Sequence, residues 1–249
     1  MSGYSCATPP RNIKVCMRNA PIAKAGLREL YTDREFVPRA FTDRADHAFI
    51  SIHLIERSVA LLAAQLTGEL LDVGCGQQPY ATYFGHSSKH MACDYDAARG
   101  NVDFSCPADA IPLPDESVDS VLCTEVLEHV PDPMAVWNEF HRILRPGGRV
   151  LLTTPQYWPP HELPYDFYRY PEHGLRRLAS ESGFALLALI PRGGPIAFWG
   201  QVTLHVWQPL FRFAWTRILW NRLILALDRF SNTPRMTVGW TVLAEKERS

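Results

Sequence analysis

The stretch Leu70–Pro79, which reads LLDVGCGQQP, decides the fold of this protein. Its first residues are mostly apolar, as in a buried strand, and they enclose the acidic Asp72. Gly74 and Gly76 follow, and because neither carries a Cβ, the backbone can approach a ligand closely there. Pro79 favours the first turn of a helix. The stretch therefore predicts a strand, a ligand-binding loop and a helix.

Short apolar runs alternate with helical patterns around this loop. Such alternation indicates parallel strands joined by crossover helices. Apolar residues recur at helical spacing over His47–Leu66, which predicts an amphipathic helix covering one face of a sheet. The helix Met134–Leu144 is predicted to end at the segment Arg145–Gly148, because proline and two glycines stop it. The predicted strands are Glu69–Val73, His90–Cys93, Ser120–Cys123, Val150–Thr153, Phe184–Ile190 and Met236–Leu243, with a further helix at Gly174–Ser182.

Composition indicates one main folded domain. The chain has 249 residues, of which 47% are hydrophobic and 20% charged, and its formal net charge of −1 does not point to nucleic acid. We expect an N-terminal arm over residues 1–45, only partly ordered, and one domain over residues 46–249. The six cysteines form no Cys-x-x-Cys pair, which argues against a structural metal or a disulfide framework and favours the reduced cytoplasm.

Three interpretations of the glycine loop are open from its residues alone. A dinucleotide loop needs a third glycine where this chain has Pro79, and a strand can also simply turn through two glycines. Acidic residues downstream favour a nucleoside ligand. Asp94 ends the second predicted strand, where a carboxylate can accept hydrogen bonds from both ribose hydroxyls. Asp109, further along, is placed to accept one from an adenine amino group.

Five motifs occur in order: LLDVGCG, CD, DAIPLPDESVDSV, EVLEHVPDP and RILRPGGRVLLTTP. Together they resemble the class I S-adenosylmethionine-dependent methyltransferases, in the type 11 branch, over about residues 66–190. Gln78 stands where many members carry a third glycine. The resemblance implies a Rossmann-like α/β fold with a seven-stranded, mostly parallel sheet whose last strand is antiparallel, and with helices on both faces. It also implies S-adenosylmethionine as the cofactor, with Asp72, Gly74, Cys75 and Gly76 at its methionine part, Asp94 at the ribose, Asp109 and Ala110 at the adenine, and Thr124 and Glu125 closing the methionine end.

The segment Pro155–Tyr170 follows the fifth strand and is the candidate acceptor loop. It combines prolines and aromatic residues with His161, Asp166 and Arg169, and similar stretches recur in a bacterial subgroup of the methyltransferases named above. His161 is predicted as a general base, because imidazole changes charge near neutral pH; a structural histidine is the alternative. Asp166 and Arg169 are catalytic candidates, with mutual bracing of the loop as the alternative. His129, after the fourth strand, can face the cofactor or simply pack.

Residues 195–230 form an aromatic-rich insertion before the last strand. Prolines and polar residues make a membrane-spanning helix improbable there. Leu210–Phe230 is predicted as an amphipathic helix, with its polar residues within an arc of roughly 140° and a broad apolar remainder. The alternatives are a lid on the core, a homodimer contact, or peripheral contact with a membrane or a lipid-linked substrate.

The predicted function is methyl transfer from S-adenosylmethionine to a hydroxyl of a small-molecule, sugar or lipid-linked acceptor. The activated methyl group needs alignment more than it needs a metal, and we expect none. Two alternatives remain: a non-catalytic module that binds S-adenosylmethionine, and an NAD-dependent oxidoreductase. The first needs no acceptor loop, and the missing third glycine argues against the second.

Overall fold

The structure, a computed structural model, describes Ala40, residues 43–231, Thr233 and residues 236–248, except the side chain of Arg99. The strands in this part of the chain are β1 (Glu69–Val73), β2 (Lys89–Asp94), β3 (Phe104–Ser105), β4 (Val118–Thr124), β5 (Leu144–Pro155), β6 (Phe184–Arg192) and β7 (Gly239–Lys246). They form a seven-stranded sheet in the order β3-β2-β1-β4-β5-β7-β6. Only β7 is antiparallel to its neighbours, β5 and β6. The predicted fold class is confirmed.

Helices cover both faces of the sheet. They are α1 (Phe49–Leu62), α2 (Pro133–Ile143), α3 (Glu172–Glu181), α4 (Pro195–Val206) and α5 (Ala214–Asp228). On one face, α1 buries Ile55 and Val59 in a cluster with Leu151 of β5. On the other face, Trp137 of α2 and Leu175 of α3 belong to the cluster around the opposite side chains of the central strands. The result is a three-layer core that holds the strand ends rigidly.

The start of α2 shows how local sequence fixes an element next to the site. Asp132 caps the helix by accepting hydrogen bonds from the backbone N–H of Met134, at 3.0 Å, and of Ala135, at 3.1 Å. Pro133 occupies the first helical position, where no N–H is needed. The chain therefore leaves the loop after β4 at one defined residue.

The helix predicted after the glycine loop is wrong. The backbone φ is +50° at Gly76 and +52° at Gln78, so no right-handed helix begins before Pro79. A short 3₁₀ turn, Ala81–Tyr83, takes its place. Tyr80 and Phe84 are buried beside it and cover the sheet instead.

The boundary between α2 and β5 also differs from the prediction. The helix ends at Ile143, and the segment Arg145–Gly148 already belongs to β5. The register between β4 and β5 shifts there, between Val118 and Ser120, because the proline and glycines pair irregularly with β4. The segment that was predicted to end the helix therefore forms the first part of β5.

The insertion forms two helices, α4 and α5, instead of the single predicted helix. Part of the predicted polar arc of α5 points inward, because its polar side chains bond to backbone groups of neighbouring segments. Asp228 accepts hydrogen bonds from the N–H groups of Gly194 and Ala197 at the start of α4. None of the described helices is both long enough and apolar enough to cross a bilayer.

Most of the predicted N-terminal arm, with Cys6 and Cys16, lies outside the described residues, and the domain division stays a prediction. The four described cysteines, at positions 75, 93, 106 and 123, are free thiols. These free thiols are consistent with the expectation of no disulfide among the described residues.

Gly239→Ala should destabilise the protein. A Cβ at this position would overlap the guanidinium of buried Arg192 and lie 2.5 Å from the carbonyl oxygen of Thr154. Overpacking of this kind costs about 1–3 kcal/mol of unfolding free energy, which urea denaturation measures. Gly85→Ala is the matched control, since a Cβ there meets nothing within 4 Å. Equal stability of the two variants would contradict the close packing at Gly239.

Candidate active site

The glycine loop is fastened to the end of β2. The N–H groups of Gly74 and Cys75 both donate to the carbonyl oxygen of Cys93, at 2.9 and 3.1 Å. The N–H of Gly76 donates to the carboxylate of Asp94 at 2.9 Å. These bonds hold the loop above the ends of β1 and β2, where ligands bind in open α/β sheets.

The two predicted glycines have different roles. A Cβ on Gly74 would overlap the side chain of Val126, so Gly74 allows close packing against the loop after β4. A Cβ on Gly76 would meet nothing within 4 Å, so this backbone borders open space. Of the two, only Gly76 has the geometry of a residue that a ligand approaches.

Asp72 is buried at 2% exposure, and its Oδ1 atom has no hydrogen-bond partner. Burial, followed by the nearby Asp94 carboxylate, raises the pKa of Asp72 to about 8. A cationic group at this position would restore the charged form and supply the missing partner. The orphaned oxygen therefore fits the positively charged methionine part of S-adenosylmethionine.

Asp94 lies at the end of β2, as predicted. Its two oxygens accept from the N–H groups of Gly76 and Asp96, at 2.9 and 3.0 Å. A carboxylate oxygen accepts more than one hydrogen bond, so both oxygens keep capacity for ribose hydroxyls. Asp109 and Ala110 lie in an exposed turn beyond β3, and their contact with adenine stays a prediction.

Glu125 follows Thr124 at the end of β4, and its partner is a residue that sequence reasoning missed. Arg192, at the end of β6 and only 1% exposed, forms an ion pair with Glu125 at 2.9 Å. Arg192 also donates to the carbonyl oxygen of Thr154. An arginine at the end of the apolar run Phe184–Ile190 was the available signal. The Glu125 carboxylate is therefore neutralised by protein, unlike that of Asp72.

The acceptor loop is braced by an ion pair. Arg169 binds both oxygens of Asp166, at 2.5 and 2.8 Å, and donates to the carbonyl oxygen of Trp158. Asp166 also accepts from the backbone N–H of His161 at 3.0 Å. The Arg169 guanidinium holds the pKa of Asp166 well below its usual range. The contacts of Asp166 and Arg169 are those of the bracing alternative.

His161 is the least constrained polar side chain of this group. Its Nδ1 atom lies 3.5 Å from Oδ2 of Asp166, and the side chain is 30% exposed. Its ring packs edge-to-face on His129 with ring centroids 4.7 Å apart. The Nδ1 of His129 donates to the carbonyl oxygen of Tyr165 at 2.7 Å. The structure thus brings the loop after β5 against the loop after β4, beside the glycine loop.

Glu128 completes a cluster that sequence reasoning did not find. It is fully buried, neither carboxylate oxygen has a hydrogen-bond partner, and burial raises its pKa well above the usual range. Potential ligand atoms of Glu128, His129 and His161 lie within 4.8 Å of one another, as in a metal site. His161 is far from the other two in sequence, so no spacing motif revealed the cluster. The expectation that no metal is needed stays a prediction.

Comparisons with known proteins agree with this geometry. Residues 71–152 match the family described as a methyltransferase domain, of type 11. A malonyl-acyl-carrier-protein O-methyltransferase of Yersinia pestis is 29% identical over 144 residues, covering 51% of this chain and 53% of that protein. The chain thus spans about half the length of this curated relative.

Solved structures share the fold. The cyclase SpnF is 18% identical with a TM-score of 0.53, covering 78% of this chain and 82% of that chain. An S-adenosylmethionine-dependent methyltransferase from Mesorhizobium loti is 14% identical with a TM-score of 0.51, covering 77% of this chain and 97% of that chain. The fold and the family match over residues 71–152 support a class I S-adenosylmethionine-dependent methyltransferase. Residues 71–152 are thus similar to a type 11 methyltransferase domain, and S-adenosylmethionine is the cofactor that this match implies.

Asp94→Ala should weaken cofactor binding. The variant removes a charged acceptor from the predicted ribose position, which costs about 1–3 kcal/mol of binding free energy. Calorimetric titration with S-adenosylmethionine and S-adenosylhomocysteine measures the loss, and NAD should give no signal with the wild type. Asp115→Ala is the control, because this exposed acid pairs with Arg142 instead. Wild-type affinity in Asp94→Ala would refute the ribose assignment.

Asp72→Asn should stabilise the cofactor-free protein more at high pH than at low pH, and it should weaken cofactor binding. The folded-state pKa of Asp72, about 8, is above the ordinary aspartate value of about 4. This carboxyl therefore destabilises the cofactor-free protein increasingly as the pH rises between these values. The amide should raise the thermal midpoint relative to wild type more at pH 8 than at pH 5, and should weaken S-adenosylmethionine binding. A stability difference independent of pH would contradict the raised pKa.

Proposed function

We propose that this protein transfers the methyl group of S-adenosylmethionine to a hydroxyl oxygen of an acceptor held by the loop 156–170. His161 acts as the general base and Asp166 orients it. The observation that carries this proposal is the position of His161 Nδ1, which is buried without a hydrogen bond and lies 3.5 Å from the Asp166 carboxylate. A small shift on acceptor binding would let the carboxylate accept from Nδ1, which is the arrangement that orients a base toward a hydroxyl nucleophile.

The carboxylate determines which imidazole nitrogen acts. An anionic oxygen near Nδ1 favours the tautomer with its proton on Nδ1, which leaves the lone pair on Nε2 free. The acceptor hydroxyl proton passes to Nε2 while the acceptor oxygen forms its bond to the methyl carbon. Bound S-adenosylmethionine would supply the already activated methyl group, and the electron pair of its carbon–sulfur bond would stay on sulfur.

Asp166 and Arg169 are proposed as positioning residues. The Asp166 side chain is 4% exposed, and its oxygens already accept from Arg169 and from the backbone of His161. It is therefore poorly placed to touch an acceptor. Arg169 ties this carboxylate to the carbonyl oxygen of Trp158, which fixes the base relative to the end of β5.

The proposed acceptor is a small molecule, a sugar or a lipid-linked compound with an apolar part. Leu163 and Tyr165 are exposed on the loop, as are Phe167 and Tyr168. The Yersinia pestis relative is an O-methyltransferase by name, which supports oxygen as the methylated atom. A cytoplasmic location and a homodimer stay predictions.

A cofactor-binding module without methyl transfer is the competing function. The fold alone does not decide against it, since the cyclase SpnF shares the architecture. The His161–Asp166 pair favours catalysis, because a module that only binds the cofactor has no use for an oriented base. Methylated product, detected by mass shift after incubation with candidate hydroxyl acceptors, distinguishes the two functions.

His161→Ala should lower turnover by about 100-fold or more, the typical contribution of a general base, and leave S-adenosylmethionine affinity nearly unchanged. Its pH–rate profile should also lose the acidic limb. His173→Ala is the control, because that histidine is exposed on α3. Unchanged turnover would remove His161 from the mechanism, and a joint loss of folding and cofactor binding would support the structural alternative.

The cluster of Glu128, His129 and His161 requires one further measurement. If His161 is a free base, enzyme dialysed against a chelator should keep its turnover and contain no stoichiometric metal by elemental analysis. Loss of turnover on chelation, with recovery on adding a divalent cation, would overturn the general-base role and assign His161 as a metal ligand.

A further inference from the structure

Helix α5 turns polar side chains toward the protein and apolar ones toward solvent. Asn221 and Asp228 are fully buried, and Arg217 donates to the carbonyl oxygens of Ala45 and Phe211. Asn221 donates to the carbonyl oxygen of Arg44 at 3.0 Å. These inward bonds fix the rotation of the helix about its axis, because each side chain has a backbone partner only in this orientation.

The same rotation exposes an apolar stripe along α5. Trp215, Leu219, Leu223 and Leu227 recur every four residues, and each is at least 42% exposed. Phe230 extends the stripe beyond the helix at 75% exposure. The end of α4 and the connection to α5 add further exposed apolar side chains, those of Val206, Trp207, Leu210 and Phe213. A surface of this kind marks an interaction site.

Charge decides which partner fits the stripe. The exposed ionisable residues between positions 195 and 231 are Arg212, Arg222 and Arg229, while Asp228, the one acid there, is buried. Arg222 and Arg229 lie beside the stripe by helical geometry, at about 100° per residue. Tryptophan, leucine and flanking arginine are the composition of helices that lie in a membrane interface. A symmetric contact between two copies would instead bring like charges together.

The stripe is mechanically linked to the acceptor loop. On α4, Phe198 contacts Tyr157 of that loop, with ring centroids 5.0 Å apart, and His205 contacts Trp158 at 4.8 Å. The carbonyl of Gly200, also on α4, accepts from the indole of Trp220 on α5 at 3.0 Å. Both helices and the loop therefore pack against one another.

We propose that α4 and α5 dock this protein on an anionic lipid surface through the apolar stripe. Apolar side chains enter the interface and the arginines pair with lipid phosphates. Docking then holds the acceptor loop close to an amphipathic acceptor that lies in the same surface. This second part rests on the proposed methyl transfer, whereas the docking itself does not.

Vesicle co-sedimentation tests the docking with the full chain. Wild-type protein should bind vesicles of phosphatidylcholine with 30 mol% phosphatidylglycerol at least about tenfold better than phosphatidylcholine alone, since three arginines contribute about fivefold each when fully engaged. The double variant Leu219→Ser/Leu223→Ser should reduce this binding about tenfold or more, through lost apolar burial. Arg222→Glu/Arg229→Glu should abolish the preference for anionic lipid.

A control variant matches the charge changes. Arg177→Glu reverses an exposed arginine of α3, away from the insertion and from the glycine loop. It should bind vesicles like wild type. All variants should keep wild-type S-adenosylmethionine affinity, so that lost docking is not mistaken for lost folding.

The results separate the two proposals. Absence of vesicle binding by the wild type would overturn the docking, as would equal binding by the stripe variants. If light scattering shows a dimer that Leu219→Ser/Leu223→Ser converts to a monomer, the stripe is a contact between copies and the lipid proposal is wrong. Vesicle binding with no turnover on any hydroxyl acceptor would keep the docking and contradict the proposed methyl transfer.

Discussion

The position of β1 in the sheet is the constraint on which the rest of this structure depends. It pairs with β2 on one side and β4 on the other, both in parallel. The connections from its end and from the neighbouring strands therefore diverge to opposite sides, and a crevice opens where they part. The glycine loop, Asp94 and the loop after β4 all border this crevice because they follow strands that end at the same edge.

Acidic side chains concentrate at this edge, and their surroundings differ. The partly exposed Glu125 has the buried Arg192 as its ion-pair partner, whereas the buried Asp72 lacks a hydrogen-bond partner for one oxygen and the buried Glu128 lacks one for either. Leaving a carboxyl group desolvated costs stability, and protonation reduces that cost in the free protein. Asp72 is thus prepared for a cation, which is what S-adenosylmethionine brings. The desolvated carboxyl lowers the stability of the free protein, and binding of a cationic ligand can restore that stability.

Helix α5 also carries an energetically unfavourable feature, because its polar side chains face the protein and its apolar stripe faces water. Its inward polar groups satisfy backbone atoms near residues 44–46 and at the start of α4, so the helix is held in place by hydrogen bonds as well as by apolar packing. The apolar stripe of α5 remains in contact with water. The fold does not determine the function, since structures that share it include a cyclase as well as a methyltransferase. Function therefore depends on the sites and surfaces that each protein builds on the fold.

The sequence alone determined the α/β fold class and the placement of Asp72 and Asp94 at the ends of β1 and β2, whereas the cofactor followed from the resemblance of five motifs to a known family. The fold class and the placement of the acids follow from local signals, namely apolar runs, two glycines and acids in or just after strands, which need no knowledge of distant contacts. Local signals failed where tertiary contacts override propensity. A helix was expected after Pro79, but only a 3₁₀ turn forms there, and Tyr80 and Phe84 beside it are buried against the sheet.

Only the tertiary structure decided that Arg192 neutralises Glu125, that Glu128, His129 and His161 meet, and that α5 faces outward with its apolar side. Each depends on groups far apart in sequence. The periodicity of α5 fixes which residues share a face but not which face is buried, because that depends on distant backbone groups: Asn221 donates to the carbonyl oxygen of Arg44, and Asp228 accepts from the N–H of Gly194.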